Sequence, residues 1–125
     1  STDEIVIGDN DTLSAEVAAQ VSAELLIILS DIDGLYDSDP HDNPDARLIS
    51  EVAVLNEHIM SLAGGSGSNL GTGGMVTKLR AASIATAHGC ELVIANGQKP
   101  EVLYDIVDRK SVGTRFLAHK NEEER

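Results

Sequence analysis

The chain has 125 residues, of which 42% are hydrophobic and 24% are charged, and this balance predicts a single soluble globular domain with an ordinary core. Its formal net charge is −12 and its only aromatic residues are Tyr36, Tyr104 and Phe116, which excludes the basic surface and the stacking platforms of nucleic-acid-binding proteins. A single cysteine, Cys90, permits no internal disulfide, and the sequence has neither a membrane-spanning run nor a signal peptide, so we expect a cytoplasmic protein.

The first 31 residues predict two strands, each of which ends in polar side chains. Residues 5–7 form a short β-branched run, which a polar turn over 8–12 and an alanine-rich helical pattern follow. Residues 25–29 form a continuous apolar run, as expected of a strand buried on both faces of a parallel sheet, and it leads into Ser30 and Asp31. Open α/β sheets bind their ligands at such strand ends.

An acidic segment follows the second strand. Six aspartates and two prolines lie within residues 31–45, which predicts an irregular surface loop. A calcium-binding loop fits poorly: counted from Asp31, Asp42 stands where glutamate is required, and counted from Asp37, it stands where glycine is required. Because His41 and His119 have no ligand partner nearby either, we predict no metal site formed by protein residues alone.

The stretch from Ala63 to Lys78 contains six of the eleven glycines of the chain. An apolar helical pattern begins directly after it, and a glycine-rich loop that opens into a helix presents backbone N–H groups at the positive end of the helix dipole, which suits phosphate oxygens. Lys78 would add a full positive charge. The alternative is a mobile glycine–serine linker, which Thr72, Thr77 and Lys78 disfavour.

Two better-known phosphate-binding loops are excluded by spacing. A Walker A motif needs glycine before its lysine and serine or threonine after it, whereas Lys78 lies between Thr77 and Leu79. A dinucleotide-binding fingerprint needs the spacing G-x-G-x-x-G, and no set of glycines within 63–78 has it. The stretch therefore predicts a phosphate-binding loop of another kind.

The other elements continue the alternation of strands and helices. The pattern predicts helices over 52–62, over 75–85 and from Pro100, and strands over 92–95 and 112–117, the last of them at a sheet edge. Gly89 should end the second of these helices as a C-cap. The predicted fold is thus α/β: a mostly parallel open sheet with helices on both faces, whose polar strand ends at 8–12, 30–34 and 96–97 converge on one edge.

Three motifs, in order, identify a family. They are Gly-Asp-Asn-Asp-Thr-Leu-Ser-Ala at 8–15, Ser-Asp-Ile-Asp-Gly-Leu-Tyr at 30–36 with Asp39-Pro40, and Gly-Thr-Gly-Gly-Met-Val-Thr-Lys at 71–78. Together they resemble the glutamate 5-kinases of the amino acid kinase family, and the likeness runs from Ile5 to Phe116. The resemblance implies the carboxyl-terminal half of that fold. It also implies transfer of the γ-phosphoryl group of ATP, accompanied by Mg²⁺, to the side-chain carboxylate of L-glutamate, the first step of proline biosynthesis.

The resemblance also assigns roles to residues. Asn10, with Asp9 beside it, would bind glutamate; Asp11 would be the catalytic acidic residue that orients lysines; and Lys78 would stabilise the transferring phosphoryl group. The nucleotide-binding residues would be Ser30, Asp31, Thr72, Gly73, Gly74, Met75, Val76, Thr77 and Lys78. Since a glutamate carboxylate is already ionised at neutral pH, it needs no general base, and catalysis would depend on positioning and on cations.

The resemblance further indicates a part that is not in this sequence. Glutamate 5-kinases carry a glycine-rich loop, a second catalytic lysine and further glutamate contacts in an N-terminal half, whereas this chain begins directly before the motif at Gly8. We expect residues 1–120 to form the nucleotide-binding half of the kinase domain, inactive without the other half, and 121–125 a solvated tail. The expected partners are glutamate, ATP, the N-terminal half and further copies in a homo-oligomer.

Two alternatives stay open from the sequence. The chain could be a non-catalytic α/β nucleotide-binding or assembly module that keeps the fold and has an unpaired sheet edge. It could also be a family member that phosphorylates another acceptor, such as aspartate, acetylglutamate, carbamate or UMP. The Gly-Asp-Asn-Asp run at 8–11 favours glutamate among these acceptors.

Overall fold

The structure, a computed structural model, describes residues 5–8, 11–30, 32–38, 43–55, 57–63, 74–108 and 112–118. The elements within these residues are β1 (Ile5–Gly8), α1 (Asp11–Gln20), β2 (Leu25–Ser30), β3 (Glu51–Val52), α2 (Glu57–Ala63), α3 (Gly74–Ala87), β4 (Glu91–Asn96), α4 (Glu101–Val107) and β5 (Thr114–Phe116). The five strands form one sheet in the order β1-β2-β4-β5-β3. The predicted fold class, a mostly parallel α/β sheet, is confirmed.

The parallel part of the sheet consists of β1, β2 and β4. Ile7 of β1 lies beside Ile27 of β2, which lies beside Val93 of β4. β5 runs antiparallel to β4, and β3 runs parallel to β5. Because β1 and β2 are joined by α1, and α3 leads into β4, the connections between the parallel strands are helical crossovers, as such strands require.

Two predictions for the second half of the chain are wrong. The strand predicted over 112–117 is β5, and it lies between β4 and β3 rather than at an edge. The helix predicted over 52–62 begins only at Glu57, because Val52 belongs to β3 and is 4% exposed. The N–H of Arg115 donates to the Ser50 carbonyl at 3.0 Å, and the N–H of Leu117 donates to the Val52 carbonyl at 3.0 Å, so β3 covers the outer side of β5.

The core lies on both faces of the sheet. On one face, Leu26 and Ile28 of β2 pack with Leu79 of α3 and with alanines of α1 and α3. On the other face, Ile27 packs with residues of β4 and with Val102 and Ile106 of α4. The apolar runs of β2 and β4 are thus buried from both sides, as expected for central strands of a parallel sheet.

The ends of α1 and α3 share one capping geometry. After α3, the N–H of Gly89 donates to the Thr86 carbonyl at 3.1 Å and that of Cys90 to the Ala85 carbonyl at 2.9 Å, with Gly89 at φ +82°. This is a Schellman motif, and it confirms the predicted C-cap. After α1 the corresponding left-handed position, at φ +55°, is held by Ser22.

We expect Ser22→Gly to raise the free energy of unfolding by about 0.5 to 1 kcal/mol, because a residue with a Cβ is strained in the left-handed region and glycine is not. Urea-induced unfolding of the 125-residue chain measures the change. Ser22→Ala, which keeps the Cβ, serves as the control and should change stability by less than about 0.5 kcal/mol. Equal stabilisation by both substitutions would show that the serine hydroxyl, and not backbone strain, destabilises the folded chain at this position.

Candidate functional site

The carboxyl ends of β1, β2 and β4 lie along one edge of the sheet, because the three strands are parallel. The strands end there at Gly8, Ser30 and Asn96. α1 starts just after β1, and α3 leads into β4, so both helices begin at the same edge, at Asp11 and Gly74. We call this region the carboxyl edge; it confirms the predicted convergence of the strand ends.

The first turn of α3 presents the backbone to this edge. An α-helix leaves its first four N–H groups without partners inside the helix, at the positive end of its dipole. The side chain of Met75 is 5% exposed and belongs to the core, so any contact of Met75 with a ligand would involve its backbone. Val76, Thr77 and Lys78 are half-buried. A phosphate group is the ligand that such a helix start favours.

Asn96 connects the turns that follow β2 and β4. Its Nδ2 donates to Oδ1 of Asp33 at 3.2 Å, and its Oδ1 accepts the N–H of Gln98 at 2.8 Å. The N–H of Gly97 donates to the Ser30 carbonyl at 2.8 Å, while Oγ of Ser30 accepts the N–H of Ile32 at 3.2 Å. Both polar groups of the Asn96 amide are therefore engaged, and the side chain holds the carboxylate of Asp33 in place.

A cavity of about 210 Å³ adjoins this pair of turns. Its lining combines apolar side chains with a carboxylate, an amide and an ammonium group: Asp33, Leu48, Asn96, Lys99, Val102, Val112 and Gly113. Sequence reasoning did not single out Asp33 or Lys99. A signal existed for each, since Asp33 lies within the motif at 30–36 and Lys99 directly precedes the proline that starts α4.

Thr114 fixes the segment that carries Asp33. The Thr114 side chain is 0% exposed, and its Oγ1 accepts the N–H of Leu35 at 2.9 Å and donates to the carbonyl of Ile49 at 2.6 Å. The N–H of Ile49 in turn donates to the Leu35 carbonyl at 2.8 Å. One hydroxyl thus ties β5 to two loop segments beside the carboxyl edge.

The structure locates some of the predicted site residues. Ser30 ends β2, Asp11 is the first residue of α1, and the residues from Gly74 to Lys78 form the start of α3, so these three parts lie at the carboxyl edge. The other predicted site residues lie outside the described residues: Asp9, Asn10, Asp31, Thr72 and Gly73. The roles of all the predicted site residues, described or not, stay predictions.

The described part of the chain gives little support to a cysteine nucleophile, to a metal site formed by protein side chains or to a membrane-spanning helix. Cys90 is 1% exposed, and burial together with the charge of Glu91 raises the pKa of its thiol to about 11, so it stays protonated at neutral pH and is a poor nucleophile. Within the described ranges, no group of three or more histidine, cysteine, aspartate or glutamate side chains could hold a metal ion. None of the described helices combines the length and the apolar composition that crossing a bilayer requires.

Comparison with known proteins assigns the family. The family model described as the amino acid kinase family matches residues 1–96, and the chain belongs to this family. Within it, the chain is similar to proteins named glutamate 5-kinase: 55% identity over 115 residues with one from Clostridium perfringens, and 58% over 116 residues with one from Herpetosiphon aurantiacus. These matches cover 92% and 93% of this chain but 43% and 31% of the relatives, so the chain spans roughly a third to two fifths of their length.

Solved structures share the fold. A carbamate kinase from Giardia lamblia bound to AMP-PNP matches with a TM-score of 0.65 and 24% identity over 88% of this chain and 35% of that one. An isopentenyl phosphate kinase from T. acidophilum, in a product complex, matches with a TM-score of 0.61 and 24% identity over 85% of this chain and 38% of that one. At these identities the likeness supports the amino acid kinase fold.

Proposed function

We propose that this chain is the nucleotide-binding half of a glutamate 5-kinase, which phosphorylates the side-chain carboxylate of L-glutamate with ATP. The observation that carries the proposal is the start of α3, where the Gly-Met-Val-Thr-Lys run at 74–78 of the third motif begins at the same edge of the sheet at which β1 and β2 end. More than half of the residues are identical to relatives named glutamate 5-kinase. In this proposal residues 1–120 supply this half, and residues 121–125, which the sequence predicts to be a tail, lie outside the described residues.

The chemistry requires charge neutralisation more than proton transfer. A glutamate carboxylate oxygen attacks the γ-phosphorus, the bond from that phosphorus to the β–γ bridging oxygen breaks, and ADP leaves with the electron pair. Lys78 and the first N–H groups of α3 stabilise the charge on the phosphoryl oxygens, while Ser30 and Asp31 contact the nucleotide. Asp11, at the start of α1, orients the lysine, and Asp9 and Asn10 hold the glutamate.

Mg²⁺ would accompany the nucleotide and lower its negative charge. In kinases this ion usually takes one or two protein carboxylates beside phosphate oxygens and waters. The half-buried carboxylate of Asp33, which Asn96 holds at the carboxyl edge, is a donor of this kind. The donor set therefore fits magnesium, and the protein would supply only part of it.

The high sequence identity to relatives named glutamate 5-kinase favours glutamate over the other acceptors in the family. The activity belongs to the first step of proline biosynthesis in the cytoplasm. It requires the N-terminal half of the kinase domain, which contributes the second lysine and further glutamate contacts. In solution the complete enzyme forms a homo-oligomer.

Calorimetric titration with MgADP tests the nucleotide site. We expect the 125-residue chain to bind MgADP, and Lys78→Ala to weaken binding by about tenfold or more, because a charge-assisted contact to phosphate is lost. Arg80→Ala is the matched control, since Arg80 is another cation of α3 but is exposed; it should change the dissociation constant by less than about threefold. A folded chain that binds no MgADP, or equal losses in both variants, would contradict the proposal.

A further inference from the structure

The turns that follow β2 and β4 are joined at the carboxyl edge by two hydrogen bonds. Ser30 and Asn96 are the last residues of the two strands and lie side by side in the sheet. The N–H of Gly97 donates to the Ser30 carbonyl at 2.8 Å, and Nδ2 of Asn96 donates to Oδ1 of Asp33 at 3.2 Å. One bond fixes the backbone at the end of β2, and the other holds a carboxylate three residues further along the chain.

The surroundings of Asn96 require an amide side chain. Its Nδ2 faces a carboxylate, which only accepts hydrogen bonds, while its Oδ1 accepts the N–H of Gln98 at 2.8 Å. An aspartate would set two carboxylates against each other. A serine hydroxyl, one bond nearer the backbone, could accept the same N–H but falls short of Asp33. Asn96 thus caps its own turn and holds Asp33, and shortening the side chain removes only the second contact.

The segment that carries Asp33 has another anchor two residues later. The N–H of Leu35 donates to Oγ1 of Thr114 at 2.9 Å, and Thr114 is 0% exposed. Gly34, between the two anchors, lies so close to Thr114 that an added Cβ would be 2.5 Å from its Oγ1. Because the backbone is held at Leu35 and the side chain at Oδ1, the carboxylate of Asp33 is restricted to one position.

The negative charge of Asp33 has no cation beside it in the described part of the chain. Its hydrogen-bond donor there is the neutral amide of Asn96, and it forms no ion pair with Lys99, although both line the same cavity. Asp33 is half-buried, and a carboxylate that is partly removed from water gains from a cation. One of its oxygens is held by Asn96, and the other is available to such a cation.

Magnesium is a cation that suits this carboxylate. Its ligands in kinases are one or two carboxylates together with phosphate oxygens and waters. A carboxylate that binds a metal is commonly held in turn by a hydrogen bond from a group that does not touch the metal. Loss of that group typically weakens metal binding ten- to a hundredfold. Asn96 stands in this relation to Asp33.

We infer that Asn96 is a positioning residue for the magnesium ion that accompanies the nucleotide: it holds Oδ1 of Asp33 and so leaves the other carboxylate oxygen to the ion. The inference rests on the proposed function. Asn96 acts only through Asp33 and touches neither the nucleotide nor the ion. The turn between β4 and α4 therefore contributes to metal binding without supplying a ligand of its own.

Calorimetric titration of the 125-residue chain with ADP, in EDTA and in excess MgCl₂, tests this inference. The ratio of the two dissociation constants is the enhancement that Mg²⁺ gives to ADP binding. We expect Asn96→Ser to lower the enhancement about tenfold. The dissociation constant in EDTA should change less than about threefold, because serine still caps the turn. Asp33→Asn should lower the enhancement at least as much, and the double variant no further than Asp33→Asn alone, since both residues act through one carboxylate.

Asn43→Ser is the matched control. The Asn43 amide makes the same two kinds of hydrogen bond, because its Nδ2 donates to Oγ of Ser38 at 2.9 Å and its Oδ1 accepts the N–H of Asp45 at 3.0 Å. It holds a hydroxyl group, however, and not a carboxylate. The Mg²⁺ enhancement of this variant should equal that of the wild-type chain.

Three outcomes would overturn the inference, provided that circular dichroism shows each variant folded. They are an unchanged enhancement in Asn96→Ser, an equal loss in Asn43→Ser, and additive losses in the double variant. If Asn96→Ser does not fold, Asp33→Asn decides, because a carboxylate that does not bind the ion leaves Asn96 nothing to position. A chain that binds ADP with an enhancement insensitive to Asn96→Ser contradicts this inference alone, whereas a folded chain that binds no ADP under either condition contradicts the proposed function as well.

Discussion

Replacing Gly113 by alanine is expected to lower the free energy of unfolding by about 3 kcal/mol or more, close to the upper end of single-residue effects. Gly113 has φ +68°, which already disfavours a side chain. A Cβ there would also collide with the carbonyl oxygen of Ile94 and lie 3.1 Å from its carbonyl carbon. Ile94 cannot move aside, because it is 0% exposed and belongs to β4, which is paired on both sides.

Gly89→Ala separates the collision from the backbone strain. Gly89 has φ +82°, but an added Cβ would meet nothing within 4 Å. This variant should therefore lose only the left-handed strain, about 1 kcal/mol. Urea-induced unfolding measures the loss of unfolding free energy in Gly113→Ala and in Gly89→Ala. The difference between the two losses is the free-energy cost of the collision with β4. Similar losses would mean that residues 112–113 move away from β4 at little cost.

Much of this fold could be predicted because its central strands and helix ends have strong local signals. β2 and β4 are continuous apolar runs, as strands buried on both faces must be, and Gly89 marks the end of α3. The place of β5 could not be predicted. It depends on β3, a strand of two residues that pairs with positions more than sixty residues later, and two residues carry no periodicity.

The candidate site likewise has one part that the sequence predicts and another part that it does not. The motifs place Ser30 and Lys78 at strand and helix ends, and parallel pairing brings those ends to one edge, so this part follows from sequence. The bond between Asn96 and Asp33 joins residues 63 positions apart, and no local pattern indicates it. The cavity beside it depends on how the segments after β2, β4 and α4 pack. Such details come from tertiary contacts rather than from composition or spacing.

Thr114→Val is expected to lower the free energy of unfolding by about 2 to 4 kcal/mol, although the two side chains have nearly the same shape. The hydroxyl of Thr114 is buried and serves two backbone groups, the N–H of Leu35 and the carbonyl of Ile49. Valine would leave the buried N–H of Leu35 with no acceptor and the half-buried carbonyl of Ile49 with one bond fewer. The desolvation of such groups outweighs the gain from an added methyl group.

Thr86→Val is the matched control, because Thr86 is also buried, at 2% exposed, and also donates a hydrogen bond. Its acceptor is the carbonyl of Ala82, four residues earlier in α3, which keeps its helical N–H partner when the hydroxyl is removed. Thr86→Val should therefore cost less than about 1 kcal/mol. Urea unfolding measures both variants, and amide hydrogen exchange should show faster exchange at Leu35 in Thr114→Val alone. If the two variants lose equal stability and Leu35 stays protected, Thr114 does not hold the loop that carries Asp33, and the carboxyl edge must be fixed by the Asn96 contact instead.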